Sequence, residues 1–275
     1  MGRTTKFRLW QDERMLQNLE AHNYSISNDD YENTIGISRN TIMDDQYGVY
    51  TPVIQQLGID TKAHPDVLIA ALITNAINNV DSLSSSGSVI CYDGTTFFSE
   101  TGHPVGLQGQ SGVTNVANID NTGTGNFWIL LDCSRPIRPF IFQMRQEYVV
   151  TRMNVTTDEE VFMRKTFRYG VDGRVGTGVG FWQMAYASNK DLSNPANYGA
   201  ARAAMRKFKT DAGLPFGALS STDGIYLMVG PDLEEAARQL LNSDFMVGYG
   251  ASSSVSTSNI WKASAQLIVN PFLSI

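Results

Sequence analysis

The tract that most limits what this chain can fold into lies at residues 22–80, where a strand-like alternation gives way to a long apolar helix. In NYSISNDDYENTIGISR (23–39), Tyr24 and Ile26 alternate with polar residues. Asn28, Asp29 and Asp30 have turn chemistry, and Tyr31, Asn33, Ile35 and Ile37 alternate on the return. The pattern predicts a hairpin with one thinly apolar face. A two-stranded hairpin alone is marginal in water, and no adjacent segment offers a matching amphipathic partner. The hairpin is therefore expected to be an arm whose apolar side is not satisfied within its own molecule and lies on a neighbouring subunit.

With 275 residues, 42% hydrophobic and 17% charged, the chain can bury a sizeable core as one large domain or two modest ones. The net charge is −6, and the basic residues are spread out except for Arg202, Arg206, Lys207 and Lys209. A sequence-reading nucleic-acid binder would carry a basic footprint; a container for nucleic acid need not. Cys91 and Cys133 are the only cysteines and form no CxxC pair, so neither a disulfide framework nor a thiolate zinc site is indicated. No apolar run reaches the roughly 18 residues of a membrane span, and MGRTTKFRLWQ lacks the apolar centre of a signal peptide. The expected compartment is a reducing cytosol, with no membrane partner.

Along the chain, residues 1–9 read as a short arm and 10–21 as a helix. Asp44 and Asp45 suit a first helical turn, and Pro52 either kinks that helix or opens it at Thr51. Gly58 reads as its stop. A second helix, opened by Pro65 and Asp66, is apolar nearly all round through Ile77 and is expected to be buried on most sides as the spine of the core. Residues 81–126 are loop-like around VICYDGTTFF. Strands are expected at 127–133, 139–145, 147–153, 161–171 and 179–187, where Val, Ile, Phe, Tyr and Trp are dense. Asn194-Pro195 opens a helix with Tyr198, Ala201, Met205 and Phe208 on one stripe. IYLMVG (225–230) is a buried strand, Pro231 opens another helix, and AQLIVNPF is a final strand. The alternation predicts an α/β subdomain at about 188–258.

Candidate chemistry is sparse. His22, His64 and His103 form no HExxH motif; His64 and His103, each preceding a proline, read as turn residues. GVDGRVGTGVG (170–180) has neither a GK[ST] ending nor GxGxxG spacing, and reads as a β-hairpin tip. The acidic groups Asp29-Asp30, Asp44-Asp45 and Asp158-Glu159-Glu160 fit caps or turns. Trp128, Phe181 and Trp182 fit a core. The basic group at 202–209 reads as the exposed side of its helix, solvated or in contact with another subunit. No catalytic, cofactor or metal residue is assigned, and the chain is not read as an enzyme.

Five segments, in order, carry a resemblance: QNLEAHNYSISNDDYENTIGISRNTIMDDQYGVYTPVIQQLG; CYDGTTFFSETGHPV; LLDCSRPIRPFIFQMR; VFMRKTFRYGV with GFWQMA; and VGPDLEEAARQLLNS. Together they resemble the major head subunit (T protein) of Mu-like bacteriophages. The resemblance implies an α+β major capsid protein of the Hong Kong 97-type fold. By that likeness, 1–21 would be an N-terminal arm with a short helix and 22–46 an extended loop. Residues 47–187 would form a peripheral domain with the spine helix and a long sheet, 188–258 an axial domain, and 259–275 a strand returning to the peripheral domain.

The implied function is an icosahedral shell of hexamers and pentamers around double-stranded DNA, in the virion, assembled in the host cytoplasm. Implied partners are further copies of the chain, a portal, a scaffold, decoration proteins, and non-specifically held DNA. Expected inter-subunit contacts are Tyr24, Ile26, Tyr31, Ile35 and Ile37 in the loop, and Arg202 and Arg206 in the axial helix. The family usually carries a longer stretch before the 10–21 helix than the nine residues here. Some capsids of this fold cross-link through a lysine of the extended loop; 22–43 contain none, so no such bond is expected to originate there. The alternatives are an encapsulin-like compartment shell and a soluble mixed α/β enzyme or binding protein.

Overall fold

The computed structural model describes residues 25–45, 48–105, 114–210, 214–220, 223–247 and 256–273. The expected 10–21 helix and Tyr24 lie outside them. In chain order the elements begin with β1 (Asp29–Ser38), α1 (Arg39–Met43) and α2 (Tyr50–Asn78). There follow β2 (His103–Val105), β3 (Thr114–Val116), β4 (Ile119–Asp120), β5 (Trp128–Asp132) and β6 (Phe140–Met153). Next come α3 (Glu159–Arg164), β7 (Thr166–Val179), β8 (Ala185–Ser188) and α4 (Pro195–Lys207). The chain closes with β9 (Ile225–Val229), α5 (Glu234–Asn242), β10 (Phe245–Val247), β11 (Ser256–Ser258) and β12 (Gln266–Val269). These fall into two compact units, the first built mainly from Ala70–Ile141 and Val179–Ile275, the second from Ile26–Ile69 and Phe142–Gly178.

The first unit centres on a five-stranded sheet of order β12-β9-β5-β8-β4. β5 runs antiparallel to both β9 and β8, with Leu130 opposite Leu227 on one side and Tyr186 on the other. All five β5 residues are buried, which is why WILL is an unbroken apolar run rather than an alternating one. α4 and α5 cover the sheet with Tyr198, Ala201 and Met205, and with Ala237, Leu240 and Leu241. Asn194 caps α4, its Oδ1 accepting from the Ala196 N–H at 3.0 Å. β12 is parallel to β9 in this same sheet. The sheet thus draws strands from all three of the segments expected at 47–187, 188–258 and 259–275, and the pairing of β5 with β9 spans position 187/188. Residues 179–187 are not one strand, because a short 3₁₀ turn at Trp182–Met184 precedes β8.

Two buried polar knots tie loops to this unit. Asp132 accepts from the Ser134 N–H and hydroxyl on one oxygen and from the Leu219 N–H, at 2.7 Å, on the other. His103, expected in a turn, is fully buried on β2. It stacks on Trp182 at 4.2 Å, and its Nδ1 is 2.6 Å from Asp93 Oδ2. Burial opposes the Asp93 charge, but bonds from His103 and Thr95 outweigh it and hold the carboxyl below its ordinary range.

In the second unit β1, β7 and β6 form one sheet in that order. The expected hairpin at 23–39 is corrected. Asp29 and Asp30 are strand residues, and β1 pairs with β7 in register from Asp29↔Val175 to Ser38↔Thr166. The arm's partner is its own chain, far off in sequence. The glycine-rich run 170–180 is not a hairpin tip but largely the interior of β7. Its glycines make room: a Cβ at Gly176 would sit 2.2 Å from the Ser27 carbonyl oxygen. The strands expected at 139–145 and 147–153 are one strand, β6. Residues 161–164, expected to open a strand, belong to the helix α3, where Glu159 and Glu160 favour the first turn and Arg164 the last.

α2 runs through the stop expected at Gly58 and the second start expected at Pro65. Gly58 and Pro65 each cost helix stability, yet propagation from either side carries the helix past them. Its buried stripe is Leu57 and then Ala70, Ile73, Ala76 and Ile77, whereas Val53, Ile59 and Val67 are exposed. Val53 and Ile59 precede the part opened by Pro65; within that part, through Ile77, only the stripe Asp66, Val67, Ala71 and Asn75 is exposed and the other positions are buried or half-buried, in keeping with a helix covered on most sides.

Candidate inter-subunit surface

Side chains of β1 follow the alternation except at Asn33: Tyr31 and Ile35 are half-buried and Ile37 is 8% exposed, while Asp30, Glu32, Thr34, Gly36 and Ser38 on the other face, and Asn33, are exposed. Ile37, expected to face a neighbouring subunit, is buried by its own chain. Ile26, before β1, is half-buried. The premise that the arm's apolar side cannot be satisfied within its own molecule does not hold for Ile37.

Tyr31 leads to a cluster the sequence did not disclose. Its ring packs edge-on against His64 of α2, centroids 4.7 Å apart, and His64 Nδ1 is 2.6 Å from the Tyr148 hydroxyl of β6. Tyr31 lies opposite Gly173 on β7, and the Tyr148 ring fills the space beside that glycine. His64 is thus a helix residue, not a turn residue. Partial burial lowers its pKa, and burial followed by the neighbouring Tyr31 raises that of Tyr148. Beside these rings is a half-open cleft of about 200 Å³, lined by Tyr31, Glu32, Asp60, His64, Tyr148 and Val171 among others. The histidine holds the Tyr148 ring by a hydrogen bond and an edge-on contact, and packs on Tyr31 as well.

The same unit exposes apolar side chains in a run. Met144, Val149, Val150 and Met153 of β6 are followed by Val155 and then by Phe162 and Met163 of α3, which are 77% and 72% exposed. β6 is an edge strand, so a row of backbone groups lies open beside these side chains. Met144 and Val150 point to one face of β6 and Val149 and Met153 to the other, so both faces of the strand carry exposed apolar side chains, a candidate for contact with another molecule. Its sequence signal was the density of Val, Phe and Met that also suits a core strand.

Arg202 and Arg206 belong to the first unit. Arg202 is buried, donating to the Tyr198 hydroxyl at 3.2 Å and the Ser264 carbonyl at 3.1 Å, with its guanidinium near the Trp261 ring. The expectation that it lies on the exposed side of α4 is corrected. The helix's inward stripe reaches it because Tyr198 is four residues earlier. Arg206 is exposed and reaches the Leu219 carbonyl at 3.4 Å. Among the described residues no group of three or more His, Cys, Asp and Glu is placed to hold a metal, and no helix is long and apolar enough to cross a membrane.

The comparisons with known proteins agree with one another. The major capsid protein of Escherichia phage Mu is 35% identical over 99% of this chain and 84% of its own length. The Mu-like prophage FluMu major head subunit of Haemophilus influenzae is 35% identical over 96% of this chain and 81% of its own length. Among solved structures, the bacteriophage JBD30 capsid matches with a TM-score of 0.75 at 21% identity, covering 99% of this chain and 84% of that one. The JBD30 procapsid matches with a TM-score of 0.71 at 32% identity, covering 99% and 86%. The α+β architecture is therefore that of phage capsid proteins, and nothing in these relatives supports the encapsulin alternative. The family described as Mu-like prophage major head subunit gpT matches residues 1–273, and the chain belongs to that family of major head proteins.

Proposed function

We propose that copies of this head protein close into an icosahedral shell of hexamers and pentamers through repeated contacts of the second unit's exposed apolar surface. The observation that carries this is the set of exposed apolar side chains on β6 and α3, above all the adjacent Phe162 and Met163, which are open to water in the isolated chain. A closed shell repeats a few interfaces, so each contact can be modest while the whole is stable. Ile26, Tyr31, Ile35 and Arg206 are the sequence-predicted contact residues, among those described, that remain at least partly open to a neighbour. Residues 26–46 with the second unit would correspond to the extended loop and peripheral parts of such a subunit, and the five-stranded sheet to its axial part.

Double-stranded DNA is the cargo this reading implies, held non-specifically and weakly, since a chain of net charge −6 offers phosphates little counterion release. A related JBD30 capsid is decorated with minor capsid protein trimers, and a decoration protein, a portal and a scaffold are further expected partners. The role is that of a structural protein of the virion, assembled in the host cytoplasm, rather than an enzyme. Negative-stain microscopy of the purified protein tests it: closed shells or capsomer rings are expected, and a uniform population of monomers or small oligomers under all assembly conditions would refute it.

A further inference from the structure

We propose that the tyrosine-lined cleft of the second unit receives an arginine side chain from a neighbouring copy of this chain, an inference that rests on the shell reading above. Tyr31 and Tyr148 line the cleft; His64 hydrogen-bonds the Tyr148 hydroxyl and packs edge-on against the Tyr31 ring. Glu32 of β1 and Asp60 of α2 line it and are both exposed. Each accepts a neutral hydrogen bond, Glu32 from the Thr34 hydroxyl at 2.8 Å and Asp60 from the Gln56 amide at 2.7 Å. Neither has an ion-pair partner among the described residues, and no Lys or Arg lines the cleft there. The Tyr31 hydroxyl also has no hydrogen-bond partner among the described residues.

Two aromatic faces, two carboxylates and a free phenol oxygen make a site for a planar cation. A guanidinium stacks on tyrosine and donates in a fork to carboxylates, which a compact ammonium does less well. A divalent metal is not favoured, since no three ligating side chains converge among the described residues. At about 200 Å³ the space suits one long side chain rather than a folded element.

The complementary charge is present on the same unit. Arg145 of β6 is exposed and has no ion pair among the described residues. It is three residues from Tyr148, an odd spacing that sends it to the opposite face of the strand. It cannot enter the cleft that its own Tyr148 lines, so it is available to the cleft of the next copy. Such a contact is heterologous, one patch meeting a different one, as rings and shells require.

The test uses the full chain. Glu32→Lys with Asp60→Lys is expected to leave the subunit folded, with wild-type circular dichroism and melting, while shells are lost from light scattering and micrographs. Adding Arg145→Glu to that pair is expected to restore shells, because the charges are exchanged. Shells formed by the double variant at the wild-type level would overturn the proposal, as would failure of the triple variant to recover them. Failure of the wild-type protein to form shells in the same experiment would instead overturn the shell reading itself, and the cleft's role with it.

Discussion

The ring of Tyr148 occupies the space that a side chain at Gly173 would fill: a Cβ on Gly173 would lie 2.6 Å from the tyrosine's Cδ1 and 3.0 Å from its Cε1. Glycine on a central strand is otherwise a weakness; here it lets an aromatic from the edge strand lie across the sheet and reach His64. Gly173→Ala should push the ring outward and break the 2.6 Å bond to His64. Overpacking of this kind costs about 1–3 kcal/mol. Urea denaturation of the unassembled protein should show a lower midpoint, and an unchanged midpoint would mean that the ring shifts freely.

His64 makes the second unit sensitive to mild acid. Its folded pKa lies below the ordinary 6.5 because burial penalises the charged ring. The unfolded chain therefore binds the proton more readily, and stability falls as pH drops below 6.5 toward the folded value, with no contribution above that window. Denaturation midpoints measured from about pH 7.5 down to about pH 5 should decline in the wild type. His64→Gln should flatten that decline, whatever it does to the absolute midpoint.

What the sequence reveals here follows the range of the physical cause. The helix opened by Asn194-Pro195 and the strand IYLMVG are legible because a cap, a proline and an apolar run are local signals. The alternation of Tyr31, Ile35 and Ile37 was legible too, but not its partner. β7 lies more than a hundred residues on, so the alternation by itself points to a local hairpin instead. The glycines of β7 read as a turn because their reason, the Tyr148 ring and the Ser27 carbonyl, is supplied by other segments. Arg202 read as exposed since charge is usually solvated, and only Tyr198, Trp261 and Ser264 explain its burial. Phe162 and Met163 carried the opposite ambiguity: apolar residues suited to a core strand, yet exposed on a short helix.

The Asp93–His103 pair predicts acid sensitivity in the first unit. The Asp93 carboxyl is held below its ordinary 3.8: burial acts against this, but the bonds from His103 and Thr95 prevail. Its contribution is fully present above the unfolded value and is lost as pH falls through the folded one. Asp93→Asn should destabilise by roughly 1.5–3 kcal/mol at neutral pH, the usual worth of a hydrogen bond to a charged group. In thermal melts the wild type should lose its advantage over Asp93→Asn as pH is taken below about 4. A constant gap between the two would show that the carboxylate charge is not what holds His103.

Stability and assembly should separate cleanly between two apolar positions of the second unit. Ile37 is buried by its own chain, so Ile37→Asp removes burial worth roughly 1.5–3 kcal/mol and places a charge where water is excluded. Its first effect should be on folding: a lowered melting temperature and poor recovery of soluble subunit. Phe162 and Met163 are exposed, so Phe162→Ser with Met163→Ser should leave the unfolding free energy within about 0.5 kcal/mol of the wild type, as surface changes usually do, and the melting temperature nearly unmoved. If these side chains face a neighbour, the double variant should form far fewer shells at equal subunit concentration. Circular dichroism melts and electron micrographs of the two variants, run side by side, check both halves. Normal shells from Phe162→Ser/Met163→Ser would remove α3 from the contact surface, and normal folding of Ile37→Asp would show that β1 can leave β7 without cost to the subunit.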